Sequence, residues 1–256
     1  MANIVLAHGI LGFSGIGIAN FEFIHYFNGV KKALKDKGHK VIAPQVSPVA
    51  SIEARSAELC KKIINEFGAL EENPRLIILA HSMGGLDARH ALFNGPVLAR
   101  MTDALVTIGT PHKGSPIADI IAEKWLPSNV VYKALIKLLG DSVKGLANLT
   151  QDFCEKFDAE TLDVNGIRYF SVAGKISQNS SVFFRSLGAA ISGVDDGVVP
   201  YTSAKKSNNG WTVLDDWPVD HAGQIGWFDP LVPRAVYKDQ LARYVELVDK
   251  VLSERE

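Results

Sequence analysis

The sequence has little of several features that mark particular classes of protein. Cysteine occurs only twice, at Cys60 and Cys154, and we expect both to be buried free thiols. No apolar run approaches the roughly 20 residues that a membrane-spanning helix needs. The 27 basic and 28 acidic side chains nearly cancel, to a net charge of −1, so no electrostatic attraction favours a nucleic acid as partner.

What the sequence does have is a regular alternation of apolar runs with helical patterns. Strands are predicted at 3–7, 40–43, 76–80, 104–109, 168–173 and 211–214, and helices at 22–37, 51–67, 84–93, 115–125, 130–146 and 235–252. Such alternation predicts an α/β fold, in which a mainly parallel sheet is covered by helices on both faces. The length of 256 residues fits a single domain over 1–256.

The stretch over 76–95 has the pattern of a nucleophile elbow. An apolar run ends in His81-Ser82-Met83-Gly84-Gly85, and a helix-like stretch follows. A tight strand-to-helix turn exposes a serine hydroxyl at the end of a sheet, and the residues two positions away on either side must be small. Ala80 and Gly84 meet that need, so Ser82 is the predicted nucleophile. The alternative is a serine at an ordinary strand–helix junction.

A second motif lies at the start of the chain, where an apolar strand ends in His8-Gly9 and a glycine-rich loop follows. Acyl transfer needs two backbone N–H groups aimed at the developing oxyanion. One should come from the residue after the nucleophile, Met83, and the other from a loop after an early strand, for which we choose Ile10. Because glycine-rich turns are common, this motif has weight mainly in combination with Ser82.

Three histidines follow Ser82 and compete for the role of general base. Where an elbow is present, the acid follows the serine in the chain and the histidine comes last. His90 lies within the helix after the elbow, and His112 precedes every plausible acid loop. His221 lies late in the chain and is therefore the predicted base.

The acid is expected between Ser82 and His221, after a strand. Asp195-Asp196-Gly197 fits, because it follows the strand-like run at 169–173. We favour Asp196, which precedes the glycine, over Asp195. Asp-Gly pairs are common in turns, so a solvated turn is the alternative for both residues.

Four blocks of sequence resemble, in the same order, the bacterial true lipases of the Pseudomonas, Burkholderia and Proteus type. They lie at 5–13, 81–85, 111–115 and 196–199, and weaker likeness covers nearly the whole chain. The resemblance implies an α/β-hydrolase fold and a triad of Ser82, Asp196 and His221, with Ile10 and Met83 at the oxyanion hole. It also gives Arg55 the role of bracing the oxyanion loop, the alternative being a solvated helix arginine.

The resemblance implies hydrolysis of acyl esters, most of all of triacylglycerols, through a covalent acyl-enzyme. A carboxylesterase for shorter chains is the first alternative. An acyltransferase, or a relative that binds ligand without catalysis, is a further one. An intact Ser, Asp and His in the expected order argues against the last of these.

The sequence departs from the family at its calcium site. Relatives carry a calcium-ligating Asp two residues after the base, where this chain has Gly223, and no acidic residue lies between Gly174 and Asp195. Since calcium prefers several oxygen ligands, we expect no structural calcium, no other metal and no cofactor. The aromatic residues near the base loop are expected to hold it instead, namely Trp211, Trp217, Trp227 and Phe228.

Residues 115–150 carry more apolar side chains than one covering helix can bury. In the family, helices at this place form a mobile lid over the acyl pocket, which implies transient contact with lipid interfaces. The alternative is a set of helices that face the core. No signal-peptide pattern precedes the first strand, so we expect a cytosolic chain or one whose leader was removed, although most relatives are exported.

Overall fold

The computed structural model describes residues 1–10, 26–68, 75–122 and 144–254. Its sheet has six strands in the order β2-β1-β3-β4-β5-β6, and every pair is parallel. The strands are β1 Asn3–Ala7, β2 Lys40–Ile42, β3 Leu76–His81, β4 Thr102–Ile108, β5 Arg168–Val172 and β6 Thr212–Val213. All six predicted strands are therefore present, close to their predicted bounds.

The central strand β3 is buried along its whole length, which is why it reads as an unbroken apolar run and not as an alternating one. It pairs with β1 in register from Asn3↔Leu76 to Ala7↔Ala80. The carboxyl ends of the two strands consequently lie side by side, and this edge is where ligands bind in open α/β sheets.

Helices flank the sheet on both faces. They are α1 Val30–Asp36, α2 Ile52–Phe67, α3 Met83–Asn94, α4 Pro96–Met101, α5 Pro116–Ala122, α6 Lys144–Ala147, α7 Gln151–Glu160, α8 Val182–Gly188, α9 Tyr201–Ala204 and α10 Arg234–Ser253, with a 3₁₀ turn at Gly223–Ile225. The predictions for α2, α3 and α10 are confirmed. The helix predicted at 22–37 is helical only from Val30 within the described residues, and α4, α7, α8 and α9 were not predicted.

Two large apolar clusters fill the space between sheet and helices. The apolar stripe of α10, including Tyr244 and Val248, packs with α1 on one face, as the helical spacing predicts. On the other face, Ile63 of α2 and Leu92 of α3 pack against the sheet. The layers therefore confirm the predicted α/β class.

The predicted lid segment is described only at its two ends, α5 and α6. Their apolar side chains form a third cluster with Met83 of α3. The stretch between them, which includes Leu135 and Leu139, lies outside the described residues, so the lid stays a prediction. Both cysteines are free, but only Cys154 is buried, and the prediction of a buried Cys60 is wrong because that side chain lies at the edge of a surface groove.

Within the described ranges, no helix is long and apolar enough to cross a membrane.

Candidate active site

Ser82 lies on the turn between β3 and α3 in a strained backbone conformation. Its φ of 55° and ψ of −132° fall in a region that side chains with a Cβ rarely adopt. Hydrogen bonds on both sides hold the turn, because the Ser82 N–H donates to the Ile108 carbonyl at 2.9 Å and Thr110 Oγ1 donates to the Ser82 carbonyl at 2.9 Å. The elbow expected at this place is therefore present.

Gly84 explains why the elbow needs a small residue two positions after the serine. A Cβ built at Gly84 would lie 2.5 Å from the Ala7 carbonyl oxygen and 2.7 Å from that of His8. Any side chain would force the start of α3 away from β1. The spacing in the sequence thus follows from the close approach of helix and strand.

The structure brings Ser82, His221 and Asp196 into one hydrogen-bonded line. His221 Nε2 lies 2.9 Å from Ser82 Oγ, and His221 Nδ1 donates to Asp196 Oδ2 at 2.8 Å. The His221 N–H also donates to the Asp196 carbonyl at 2.8 Å, which fixes the base loop against the acid loop. Asp196 is fully buried, whereas His221 keeps a side-chain exposure of 12%.

Asp195, the alternative acid, points elsewhere. Its Oδ1 accepts the Gly197 N–H at 2.6 Å, and burial raises the pKa of its carboxyl above the usual value. Asp196 is held differently, since its Oδ1 accepts the N–H groups of Val198 and Val199 at 3.0 and 2.8 Å. Those bonds leave Oδ2 directed at the imidazole.

Gln224 is a site residue that the sequence did not reveal. Its Nε2 donates to Asp196 Oδ2 at 2.7 Å, and the side chain is fully buried. A Cβ at Gly174 would lie 2.1 Å from that Nε2, so the amide fills a space that only a glycine leaves open. The only signal in the sequence is its place three residues after His221, on the 3₁₀ turn that follows the base.

The loop after β1 passes directly over the elbow. A Cβ at Gly9 would meet Ser82 Cβ at 2.7 Å. Arg55 is fully buried and braces this loop, as the family resemblance implies, because its guanidinium donates to the carbonyls of His8 at 2.8 Å and Gly9 at 3.2 Å. The buried carboxylate of Asp87 balances its charge at 2.8 Å.

The two predicted oxyanion donors, Met83 and Ile10, both belong to residues near Ser82. Met83 is the first residue of α3, where helix geometry leaves the N–H without an intrahelical acceptor. Ile10 lines the cavity next to Ser82 and His221. Within the described ranges, neither the Ile10 N–H nor the Met83 N–H donates to a backbone carbonyl in the turns, loops or caps.

Two further aromatic rings, those of His81 and Tyr26, lie near the base and next to each other. The His81 ring centroid lies 4.6 Å from that of His221, and Tyr26 Oη lies 2.7 Å from His81 Nδ1. Burial, and secondarily the charge of His221, lowers the pKa of His81 well below its usual value. His81 therefore stays neutral and presents no competing charge to the base.

The other two histidines that follow Ser82 have hydrogen-bond partners away from Ser82 and Asp196. His90 Nδ1 lies 2.7 Å from Ser56 Oγ of the neighbouring helix α2. His112 Nε2 lies 3.0 Å from Thr107 Oγ1, and its ring packs edge-on against Trp211. Burial lowers the pKa of both imidazoles.

A cavity of about 260 Å³ opens beside the Ser82 hydroxyl. Its walls are almost entirely apolar and come from the loop at Ile10, from α5 and the residues around α6, and from α8. The side chains of the last three groups are Ile117, Ala118, Ile121, Leu146, Leu149, Phe183, Phe184 and Leu187. The reactive hydroxyl therefore faces a space suited to a hydrocarbon chain.

The residues after His221 do not fit the calcium site of the family. Gly223 has no carboxylate, and a Cβ there would lie 2.9 Å from the Phe228 ring. Both carboxylate oxygens of Asp220 are already engaged, since they accept the N–H groups of Gly223 and Ser181, each at 2.8 Å. No group of three or more His, Cys, Asp or Glu side chains within the described ranges could hold a metal ion.

The four aromatic residues expected to hold the base loop have different roles. Trp227 fits the expectation, because its Nε1 donates to the Tyr26 carbonyl at 3.0 Å, and Phe228 lies against Gly223. Trp217 is part of the core beside Tyr244. Trp211 instead packs against Tyr169 and donates to Asp163 Oδ2 at 2.7 Å.

Comparison with known proteins shows which families and proteins this chain is similar to. A family model described as the PGAP1-like alpha/beta domain matches residues 51–137, a stretch that contains Ser82 but neither Asp196 nor His221. Triacylglycerol lipase 2 of Saccharomyces cerevisiae is 31% identical over 226 residues, which are 83% of this chain and 65% of that protein. A triacylglycerol lipase of Vibrio cholerae is 28% identical over 258 residues, covering 87% of this chain and 78% of the relative.

Solved structures share the architecture. A lipase of Bacillus licheniformis in its mature form superposes with a TM-score of 0.66 at 24% identity, over 88% of this chain and 86% of that one. At that level of identity the likeness establishes the fold.

Proposed function

This chain is a relative of the bacterial triacylglycerol lipases with an α/β-hydrolase fold, and we propose that it cleaves long-chain carboxylic esters through an acyl-enzyme on Ser82. Relatives that are named triacylglycerol lipases support a serine ester hydrolase of the lipase and carboxylesterase class. The observation that carries the proposal is the hydrogen-bonded line from Ser82 through His221 to Asp196, placed beside an apolar cavity.

In the acylation step, Ser82 Oγ attacks the ester carbonyl carbon while His221 Nε2 takes the hydroxyl proton. Asp196 stays ionised, holds the Nδ1–H tautomer and stabilises the imidazolium. The tetrahedral intermediate then collapses, the bond to the alcohol oxygen breaks, and His221 returns the proton to that oxygen. The alcohol leaves, and the acyl group remains on Ser82.

Deacylation repeats the sequence with water. His221 takes a proton from a water molecule, whose oxygen attacks the acyl carbon, and Ser82 recovers its proton as the carboxylic acid leaves. The N–H groups of Ile10 and Met83 stabilise the oxyanion in both halves of the reaction. Arg55 contributes indirectly, because it fixes the carbonyls of the segment that presents the Ile10 N–H.

The lining of the cavity favours a hydrocarbon acyl chain. Leucine, isoleucine and phenylalanine side chains surround it, and a methylene group moved from water to such a surface gains about 0.8 kcal/mol. A triacylglycerol carries three such chains. When one of them enters the cavity, the other two belong to the alcohol side of the ester, which would therefore face the lipid. Esters with short chains gain less from the cavity and are the second candidate class.

The test combines covalent labelling with a series of esters. A fluorophosphonate should label the wild-type protein once, and Ser82→Ala should abolish both labelling and turnover with the melting temperature unchanged. Rates on p-nitrophenyl esters from acetate to stearate, with emulsified triolein beside them, should rise with chain length. Retention of more than about a tenth of wild-type turnover by Ser82→Ala would overturn the assignment. A maximum at acetate would favour the short-chain esterase.

A further inference from the structure

Asp220 immediately precedes the base and has a hydrogen-bonding pattern that links two separate segments. Its Oδ1 accepts the Gly223 N–H at 2.8 Å, and its Oδ2 accepts the Ser181 N–H, also at 2.8 Å. The residue is only 4% exposed. A buried carboxylate is costly unless its oxygens are satisfied, and here each oxygen has a backbone donor from a different part of the chain.

One of the two hydrogen bonds of Asp220, the one to Gly223, is of a common kind. An aspartate that accepts the N–H three residues later is a common arrangement at turns and helix starts, and here the donor is Gly223, the first residue of the 3₁₀ turn after the base. The bond from Ser181 is not part of any cap, because it spans 39 residues. It ties the base loop to Ser181, the residue that caps the start of α8.

Helix α8 forms one wall of the acyl cavity. Phe183, Phe184 and Leu187 face it, and Ser181 caps the helix by accepting the Phe184 N–H at 3.2 Å. The contact made by Asp220 therefore joins the loop that carries the base to the helix that shapes the chain-binding space.

We infer that Asp220 is a positioning residue whose carboxylate clamps the His221 loop to α8, so that the base and the wall of the acyl cavity hold their places together. The inference rests on the proposed function only for its kinetic consequence. The clamp itself is a structural link between two backbone segments, and it can be measured without any turnover.

The clamp explains how the base loop is fixed without a carboxylate at Gly223. The main-chain bond from His221 to Asp196 secures the loop on its acid side, and Asp220 secures it on its opposite side. Fixing a residue costs about 1–2 kcal/mol of backbone entropy, so loss of the Asp220 bond to Ser181 would give His221 Nε2 more freedom to drift from Ser82 Oγ, although Gln224 and Trp227 still hold the residues after the base. A displacement of that kind reduces rate far more than it reduces stability.

The first variant is Asp220→Asn, which keeps the size of the side chain. One amide oxygen can still accept an N–H, but the NH₂ group then faces the second donor and that bond is lost. Turnover per fluorophosphonate-titrated site should fall by roughly ten- to a hundred-fold, and the preference for a long ester over a short one should weaken. If Asp220 only helped the chain to fold, the variant would have a smaller fraction of protein that reacts with the fluorophosphonate, but turnover per reactive site would be unchanged.

A matched pair at Ser181 keeps the test informative if Asp220→Asn folds poorly. Ser181 has φ −62°, which proline accepts. Ser181→Ala and Ser181→Pro both remove the cap to Phe184, but only proline removes the N–H that Asp220 accepts. The proline variant should therefore show the additional loss of turnover, and combining it with Asp220→Asn should add little.

The hydrogen-exchange rates of backbone amides measure the clamp without any turnover. In Asp220→Asn, exchange should quicken at Gly223 or at Ser181, whichever N–H then faces the NH₂ group. If the wild-type protein neither labels nor hydrolyses any ester, the proposed function fails while the exchange result still stands. Equal turnover of Ser181→Pro and Ser181→Ala, or wild-type exchange in Asp220→Asn, overturns the clamp.

Discussion

Gln224 and His221 donate to the same carboxylate oxygen, Asp196 Oδ2, at 2.7 and 2.8 Å. A charged acceptor shared by two donors is held in position from two directions, and its geometry does not depend on the base alone. The other oxygen accepts two backbone N–H groups. The carboxylate of the proposed acid thus has four donors, which is close to its full capacity.

Gln224→Met tests the contribution of this amide. The substitution keeps much of the volume but removes the donor, and a hydrogen bond to a charged group contributes about 1.5–3 kcal/mol. We expect kcat to fall by roughly ten- to a hundred-fold, with KM nearly unchanged because Gln224 does not line the cavity.

Gln240→Met is the matched control for Gln224→Met. Gln240 is equally buried, but its Nε2 donates to the Gln224 carbonyl at 2.9 Å and not to the acid. Its loss should lower the melting temperature with a smaller fall in kcat. Equal effects of the two variants on kcat would show that packing, and not the bond to Asp196, matters at this place.

A second prediction separates the two neighbouring aspartates. Asp196→Asn presents an amide to the imidazole and favours the wrong tautomer, a change that costs about 10⁴-fold in serine proteases. Asp195→Asn should be much milder, because Asp195 bonds to Gly197 and not to His221. Turnover of the two variants, measured at equal folded fraction, decides the matter. A more severe loss in Asp195→Asn contradicts the assignment.

The sequence predicted the parts of the site that have local causes. Ser82 stands out because an elbow constrains its neighbours in sequence, and the Gly84 contact with β1 is the physical reason. Asp220 and Gln224 carry no such signal, since their functions depend on partners 39 and 28 residues away. Sequence spacing alone cannot distinguish them from turn residues.

The missed helices have a related explanation. Helix α8 has only seven residues, shorter than the window over which helical periodicity can be recognised. Its capping serine lies in a serine-rich stretch that reads as a loop. The strands were easier to predict, because a buried parallel strand is a continuous apolar run bounded by turn residues.

A third prediction concerns acid stability and begins at His8. Burial, aided by Arg55, lowers the pKa of His8 from 6.5 to about 4. The ring is held as a neutral tautomer, since Nδ1 donates to the Gly9 carbonyl at 2.8 Å and Nε2 accepts the Val46 N–H at 3.0 Å. Protonation would destroy the second bond.

The sign of the effect follows from linkage. Between pH 6.5 and 4 the unfolded chain binds a proton at His8 and the folded chain does not, so the free energy of unfolding falls as the pH falls through this window. At about 1.4 kcal/mol per pKa unit, the difference of about 2.5 between the two pKa values corresponds to a full loss of roughly 3–4 kcal/mol. Burial lowers the pKa of His39, His81, His90 and His112 in the same direction.

Urea unfolding at several pH values measures this slope, and His8→Gln isolates the share of His8. Glutamine does not titrate, so the variant should be less stable at pH 7 but should lose less on acidification. A slope identical to that of the wild-type protein would show that His8 titrates normally in the fold.

The last prediction concerns metal removal. Calcium needs several oxygen ligands, whereas Gly223 has no side chain and the described residues hold no group of three or more His, Cys, Asp or Glu side chains that could bind a metal. Placing a ligand at Gly223 would also push the Phe228 ring aside. We therefore expect excess EDTA to leave turnover and the melting temperature unchanged, whereas Asp220→Asn lowers turnover with or without EDTA.

Gly223→Asp provides the matched variant for metal removal. If the site lacked only one ligand, this substitution would create a dependence on calcium. A Cβ built at Gly223 would lie 2.9 Å from the Phe228 ring, 3.0 Å from Val219 Cβ and 3.2 Å from Asp220 Oδ1, so we expect a less stable protein that calcium does not rescue. A melting temperature that falls on chelation of the wild-type protein and returns with calcium alone would show that the loop is held by a metal, and the part assigned to Asp220 would then be wrong.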